Sequence, residues 1–424
     1  MSKELSEKEL HEKILKCNRC GMCQSVCPIF RITGHEMDVA RSLIRYTRML
    51  VEGEYDWGED QEITDHFQNC LLCKACVDAC PSGVLTDQIM IQARSEINHV
   101  NGLPFFDKMV YRGIFSDNKR LDFIRHLLRL YQCSGLNWIL AKGRGTSLKN
   151  VKKMGKFVPT MPKQSLREQL PSILRPVPNA LHVVAYYPGC AINTFYPEIG
   201  KASIEVLTTN RNQVEVPPTV CCGAPHLSDG DYEEALKLAK QNIDFFEAFN
   251  VEAIITDCAT CGNSLKGYAE LLSNDTQYKD KALSFSSKVR DINEYLIQTG
   301  FSRNFGNVQA TVTYHDPCHL NRGQRGSEPP REIIRSIPGV VFHEMQDADM
   351  CCGGAGSYSL RHSDLSEHIL ERKMANVKQT QATILATSCP SCIMQLSYGV
   401  KKYKIDAKVV HPVQLMAEAY YHSG

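Results

Sequence analysis

The sequence predicts an α/β chain in which a mainly α-helical N-terminal unit precedes two copies of an α/β cysteine-rich unit. Three observations carry this. Two cysteine runs, CNRCGMCQSVCP and CLLCKACVDACP, lie in charged, helix-forming sequence within residues 1–132. Residues 181–424 repeat themselves, HVVAYYPGC, PPTVCCGAP and AIITDCATC being matched by VTYHDPC, ADMCCGGAG and ILATSCPSC. In each copy short β-branched runs precede the cysteines and helical periodicity follows, as in DYEEALKLAKQNIDFFEAF and LSEHILERKMANV, which is the alternation of parallel α/β units.

Composition narrows the class. A chain of 424 residues that is 43% hydrophobic has ample core for several compact units. Its 48 basic and 47 acidic side chains nearly cancel, which gives no reason to expect nucleic acid as a partner. The opening MSKELSEKELHEKILK is charged and helical, unlike a secretory signal. No stretch approaches the roughly 18 apolar residues of a membrane span. Eighteen of nineteen cysteines at ligand spacings, in a long chain, fit a reducing cytoplasm better than a disulfide scaffold. A soluble protein, at most peripheral on the inner face of the cytoplasmic membrane, is expected.

The N-terminal unit, residues 1–132, is ferredoxin-like. A C-x2-C-x2-C-x3-C-P spacing lets three thiolates on one tight loop wrap a 4Fe-4S cubane, and the fourth cysteine of each run reaches the other cluster. One cluster is therefore expected on Cys17, Cys20, Cys23 and Cys80, the second on Cys70, Cys73, Cys76 and Cys27. Pro28 and Pro81 turn the chain away after each run. Structural zinc also takes C-x2-C pairs, but has no use for the same three-residue gap and proline twice. An amphipathic helix from about Asp38 to Leu50 should join the runs, with Arg41, Arg45 and Arg48 on one solvated face.

Residues 133–180 read as an extended basic connector. Between Ala141 and Ala180 there are nine Lys or Arg, five prolines and one acidic residue, Glu168. A solvated linker and a strip lying on a partner or an anionic lipid surface both fit this composition.

The repeats follow as residues 181–305 and 306–424, offset by 128 residues at their first cysteines and by 131 at their C-x-x-C pairs. Each supplies five cysteines: Cys190, Cys221, Cys222, Cys258 and Cys261, then Cys318, Cys351, Cys352, Cys389 and Cys392. Cys190, Cys258, Cys318 and Cys389 come just after predicted strands, where open α/β sheets bind ligands. Gly223 and Gly353 are expected to let the backbone approach an inorganic core and direct N–H groups at sulfur. Thiolates suit iron-sulfur and zinc alike.

The spacings C-x30-CCG-x34-C-x2-C and C-x32-CCG-x35-C-x2-C resemble the CCG domains of heterodisulfide reductase catalytic subunits. Joined to a two-cluster ferredoxin module, the whole chain resembles the iron-sulfur subunit of glycolate or lactate oxidase, a family related to the fused heterodisulfide reductase subunit and to the small subunit of anaerobic glycerol-3-phosphate dehydrogenase. The resemblance implies a partner flavoprotein carrying FAD that oxidises a 2-hydroxy acid, with this subunit passing electrons to a quinone or an electron-transferring flavoprotein. It also implies that a complete five-cysteine set holds a noncubane 4Fe-4S cluster, or zinc in some members. Many glycolate oxidase subunits have lost part of the C-x-x-C; this chain keeps all ten thiols. That leaves open a rival activity, thiol-disulfide reduction at a noncubane cluster.

Other signals are weaker. Reading CATC and CPSC as exchange dithiols leaves the paired cysteines unexplained. CGGAGS lacks the spacing of a dinucleotide loop, so the flavin belongs to another chain. His226, His315 and His319 are read mainly as structural, and Cys133 as a buried thiol. A zinc-stabilised scaffold without redox function fails at the ferredoxin runs.

Overall fold

The computed structural model describes residues 7–104, 108–134, 158–356 and 358–422. The N-terminal module is helical. Its core joins Leu10 and Ile14 to Leu43, Ile44, Leu50, Phe67, Ile89, Met90, Ala93 and Ile97. The helix between the cysteine runs spans Ala40–Val51, and Leu43, Ile44, Thr47 and Leu50 form its buried stripe. Opposite it, Arg41 pairs with Glu36 and Arg48 with Glu52 at 2.7 Å, while Arg45 is exposed. Local ion pairing thus occupies two of the three arginines.

The cysteine-rich half is built from two four-stranded parallel sheets. The first contains β1 (His182–Tyr186), β2 (Asn212–Glu215), β3 (Ala253–Thr256) and β4 (Val289–Asp291) in the order β2-β1-β3-β4. The second contains β5 (Ala310–Tyr314), β6 (Val340–Phe342), β7 (Ile384–Ala386) and β8 (Lys408–Val410) in the order β6-β5-β7-β8. All pairings are parallel, and the strands are joined by helical crossovers as parallel pairing requires. The central strands are covered on both faces, and β3 is buried throughout. One continuous core runs through both repeats, from Val184, Ile255 and Phe285 to Leu370, Met374 and Met416. Tyr420, on the helix Pro412–Tyr421, donates to Ser302 O at 2.7 Å and hydrogen-bonds with Asn210.

Two segments differ from expectation. Part of the connector, residues 135–157, lies outside the described residues, but Leu166–Ile173 is a packed helix rather than extended chain. Ser165 and Glu168 form its capping box, and Leu166 and Leu170 enter the core. Pro171 stands inside this helix, which its prolines and charges had masked. Residues 108–132, grouped by sequence with the ferredoxin-like unit, make contacts with the first repeat. Arg112 clamps Asp231 at 2.7 and 2.8 Å, and Asn118 donates to Thr219 O. Cys133 ends the helix Asn118–Cys133 and is exposed, not buried, because only Leu121 and Arg125 of that helix are covered.

Candidate iron-sulfur and cysteine-rich metal sites

Both ferredoxin-type runs fold alike. In each, the second and fourth residues after the first cysteine are left-handed: Arg19 and Gly21 at φ 60° and 83°, Leu72 and Lys74 at 52° and 60°. Three of these four are not glycine, a backbone cost of roughly 1–2 kcal/mol each. Such alternation turns successive N–H groups and thiols toward a common centre, as anion-binding nests do. The Arg41 N–H, at the start of helix Ala40–Val51, donates to Cys23, and the Thr86 hydroxyl, at the start of helix Thr86–Asn101, bonds Cys76. Helix N-termini thus face both loops and favour negative charge there.

Two cavities lie between the loops. One is lined by Cys17, Cys20, Cys23 and Cys80, and also by Cys76. The other is lined by Cys27, Cys70, Cys73 and Cys76. The last cysteine of each run therefore faces the three thiols of the other. Burial pushes the Cys27 thiol up to about 11 and also raises Cys70, Cys73 and Cys76. Without a cation these thiols stay protonated, so loading must release their protons. Four convergent sulfurs per cavity, with backbone N–H donors behind them, are a donor set that fits a 4Fe-4S cluster.

The ten cysteines of the repeats gather at the C-terminal ends of the strands. Eight are buried; Cys190 and Cys318 are half-buried. Thiol–thiol contacts join them in one series: Cys190, Cys221, Cys222, Cys261 and Cys258, then across to Cys389, Cys392, Cys352, Cys351 and Cys318. The crossing point, Cys258 to Cys389, joins residues 131 positions apart in sequence. At the far end, burial raises the Cys73 thiol and the nearby Cys351 disfavours its charged form further, while Cys73 in turn disfavours that of Cys318. An apolar cluster of Ile29, Leu71, Cys73, Cys351, Tyr358 and Ile369 packs this junction.

Backbone donors reach these sulfurs too. The Gly353 N–H lies 3.4 Å from Cys351 Sγ, and the Cys261 N–H 3.4 Å from Cys258 Sγ. Ala224 and Gly354 serve Cys222 and Cys352 in the same way. The paired glycines also shape the loops. Gly223 and Gly353 both turn at φ 80°, and a side chain on Gly353 would strike Ser366 O at 2.8 Å. They permit a left-handed turn and close helix packing; the glycine whose missing side chain makes room for a thiol is Gly189, where a Cβ would lie 2.9 Å from Cys261 Sγ.

A cavity of about 160 Å³ opens where the three parts of the molecule meet. Cys70, Cys190, Cys258, Cys261, Cys318 and Cys389 line it, with Tyr111, Arg94 and Arg361. Arg94 is buried and spends its guanidinium on carbonyls, reaching Phe67 O at 2.7 Å, Cys70 O at 2.6 Å and Ser228 O at 2.5 Å. Arg361 pairs with Asp229, and the Tyr358 hydroxyl donates to Asn69 O at 3.1 Å. Sequence reasoning missed all three, because nothing local distinguishes such residues from those of a solvated helix face.

The three histidines separate. His226 is buried near Ser116 and Asp231, where it packs on Tyr111 and helps dock residues 108–115. His319 lies with Nδ1 3.4 Å from Thr260 Oγ1 and 3.9 Å from Cys318 Sγ. His315 is buried, and burial together with the Lys373 charge pushes it down to about 3, so its imidazole is neutral. Lys373 is itself buried and donates to Asp347 O at 2.6 Å and Ala348 O at 3.2 Å.

Comparison with known proteins agrees with this anatomy. A 4Fe-4S dicluster domain matches residues 13–84, a cysteine-rich domain matches 184–266 and 312–397, and the linker region of glycolate oxidase iron-sulfur subunits matches 102–152. A probable glycolate oxidase iron-sulfur subunit of Bacillus subtilis is 32% identical over 99% of this chain and 97% of its own length. The Escherichia coli glycolate oxidase iron-sulfur subunit is 27% identical over 90% of this chain and 89% of its own. Lactate utilization protein A of Shouchella clausii is 26% identical over 55% of this chain and 98% of its own. A crystal structure of a hypothetical Helicobacter pylori protein shares the fold, with a TM-score of 0.50 at 10% identity, over 98% of this chain and 73% of that one. The domain order, the matched domain models and the full-length similarity together place this chain in the family of glycolate oxidase iron-sulfur subunits, as an iron-sulfur component of an oxidoreductase.

Proposed function

We propose that this chain is the electron-transfer subunit of a flavin-dependent 2-hydroxy-acid dehydrogenase complex acting on glycolate or lactate. It would accept electrons from a partner subunit carrying FAD and pass them to a quinone or an electron-transferring flavoprotein. The similarity to glycolate oxidase and lactate utilization proteins supports the substrate class. In this reading Cys17, Cys20, Cys23 and Cys80 hold one 4Fe-4S cubane, and Cys70, Cys73, Cys76 and Cys27 the other. The two CCG sites hold noncubane 4Fe-4S clusters or zinc. Bound clusters supply one-electron steps between a two-electron donor and the acceptor. The chain's own residues bury the sulfurs, direct N–H donors at them and exclude water.

One observation carries the reading: the cysteine sites are contiguous, from the cavity of Cys27 and Cys73 through Cys351 to the crossing of Cys389 and Cys258. Among the described residues no helix is long and apolar enough to cross a membrane. A cytoplasmic location with peripheral membrane contact fits delivery to a quinone. The test is anaerobic purification with co-expressed neighbouring gene products, followed by iron and sulfide analysis and EPR after adding glycolate or lactate. Substrate should reduce the clusters through the partner; clusters that form yet stay oxidised with every 2-hydroxy acid tried would overturn the proposal. About eight irons per chain with zinc corresponds to two cubanes alone, and about twelve to sixteen to occupied CCG clusters.

A second reading, thiol-disulfide reduction at a noncubane cluster, is favoured by the central cavity, which exposes cysteines of both repeats to one space. Turnover of a disulfide by the reduced chain would distinguish it.

A further inference from the structure

The second repeat contains a buried histidine that neither the fold nor the thiol series uses. His315 follows the last residue of β5 and is 1% exposed. Its backbone N–H donates to Ala386 O at 2.9 Å, and its ring lies within reach of Ala348 O, but neither ring nitrogen has a partner at good hydrogen-bond geometry. Buried polar groups are nearly always paired, and a ring with one nitrogen toward a carbonyl still leaves the other without a neighbour. A ring nitrogen of His315, Cys352 Sγ and Cys392 Sγ all lie within 4.8 Å of one another. That spacing suits three donors around one metal ion.

The first repeat lacks this feature. Its corresponding residue is Tyr187, three before Cys190 as His315 is three before Cys318. The Tyr187 hydroxyl is satisfied by donating to Val220 O at 2.6 Å. At this position one cradle therefore has a hydroxyl tied to the backbone and the other an imidazole beside two thiols.

We propose that His315 supplies a ring nitrogen to the metal centre of the second cysteine-rich repeat, in a mixed nitrogen–sulfur donor set with Cys352 and Cys392, while the first repeat binds through sulfur alone. The proposal rests on the reading that the CCG cysteines hold metal centres. For an iron-sulfur centre, replacing a thiolate by imidazole raises the reduction potential. For zinc, it supplies one of the four donors of a Cys-His site, with Cys352 and Cys392 two others. His319 is the internal control, because its Nδ1 already has Thr260 and Cys318 as neighbours.

The test uses the full chain, purified anaerobically with natural-abundance or 15N-labelled histidine. Cys392→Ser should remove metal from the second repeat and so report whether that site is loaded. If the lost metal is iron, pulsed EPR of the wild type should show a strongly coupled nitrogen that changes to the 15N pattern on labelling. If it is zinc, zinc-edge X-ray absorption should show a nitrogen beside the sulfurs. In either case His319→Ala should keep the nitrogen and His315→Ala should lose it, and the labelled wild type with His319→Ala decides the matter if His315→Ala fails to fold. A loaded second site with only sulfur neighbours, or a nitrogen that persists in His315→Ala, overturns the histidine ligand alone. Loss of no metal on Cys392→Ser overturns the metal-centre reading as well.

Discussion

The two cysteine-rich repeats have the same strand order and the same thiol positions, but different surroundings. Around the first site, neutral groups are tied to the backbone: Asn242 donates to Cys221 O, Ser264 to Cys222 O and Tyr268 to Cys222 O. Around the second, at positions 131 residues on, Asn242 gives way to Lys373, Ser264 to Gln395 and Tyr268 to Gly399. Asp257, hydrogen-bonded to Tyr186 at 2.6 Å and pushed up to about 7 by burial, is replaced by Ser388, which meets Tyr314 at 3.0 Å. A buried ammonium thus stands near one thiol set and not the other. Duplication kept the scaffold, which depends on packing, and changed the charge, which sets the electronic character of whatever is bound.

The largest effect should come from cutting each thiol set separately. Cys389→Ser is expected to remove the second centre and acceptor reduction while leaving both cubane EPR signals, and Cys258→Ser to remove the first. If either variant abolished both centres, the contact between Cys258 and Cys389 would mark one shared site, and the contrast between repeats would collapse.

Next in size is docking. The first repeat is held to the ferredoxin module by polar contacts through Arg94, the second by the apolar cluster around Ile369. Arg94→Met leaves three carbonyls without their charged donor and should cost at least about 4 kcal/mol, taking charge-assisted bonds at about 1.5–3 each. Ile369→Ala should cost about 2–4 kcal/mol. Denaturant unfolding gives the totals. Hydrogen exchange should show Arg94→Met loosening residues near Ser228 and Ile369→Ala loosening those near Tyr358; the reverse pattern would refute the assignment.

Lys373→Met probes the electrostatic contrast directly. Removing a unit charge several ångströms from the second site should lower its potential by the equivalent of about 1–2 kcal/mol per electron, at an effective dielectric of about 20. Redox titration followed by EPR should show the second centre shifting and the first unmoved. Equal shifts would mean that the charge acts on both.

The smallest effect concerns residues 108–115. Burial raises the Asp231 carboxyl, but Arg112 and His226 outweigh it and hold the group below the usual carboxylate range. The carboxylate therefore stabilises this docking at neutral and mildly acidic pH, and the contribution is lost only as pH falls through its lowered value. Arg112→Gln should remove that acid dependence from hydrogen exchange in the segment while leaving the second repeat unaffected.

Much of this was legible in the sequence because it is local. Cysteines two and three residues apart dictate a ligand loop wherever it sits, and β-branched runs ahead of Cys190, Cys258, Cys318 and Cys389 specify strands ending at the site. The duplication displayed the fold class without any contact being known. What stayed hidden depends on pairs distant in sequence. The Leu166–Ile173 helix was masked by prolines and charge, since its stability comes from a capping box and a core supplied by later residues. Cys133 looked like a buried thiol because exposure depends on which face of a helix finds a partner.

By itself, then, the sequence determined the thiol loops, the twofold repeat and the order of the parts, all consequences of short-range geometry and periodicity. Only the tertiary structure decided that Cys258 meets Cys389, that Arg94 is spent on carbonyls, that Lys373 is buried beside the second site, and that the His315 ring lies beside Cys352 and Cys392. Each of these is a matter of what surrounds a side chain, and in a packed interior the surroundings come from every part of the chain at once.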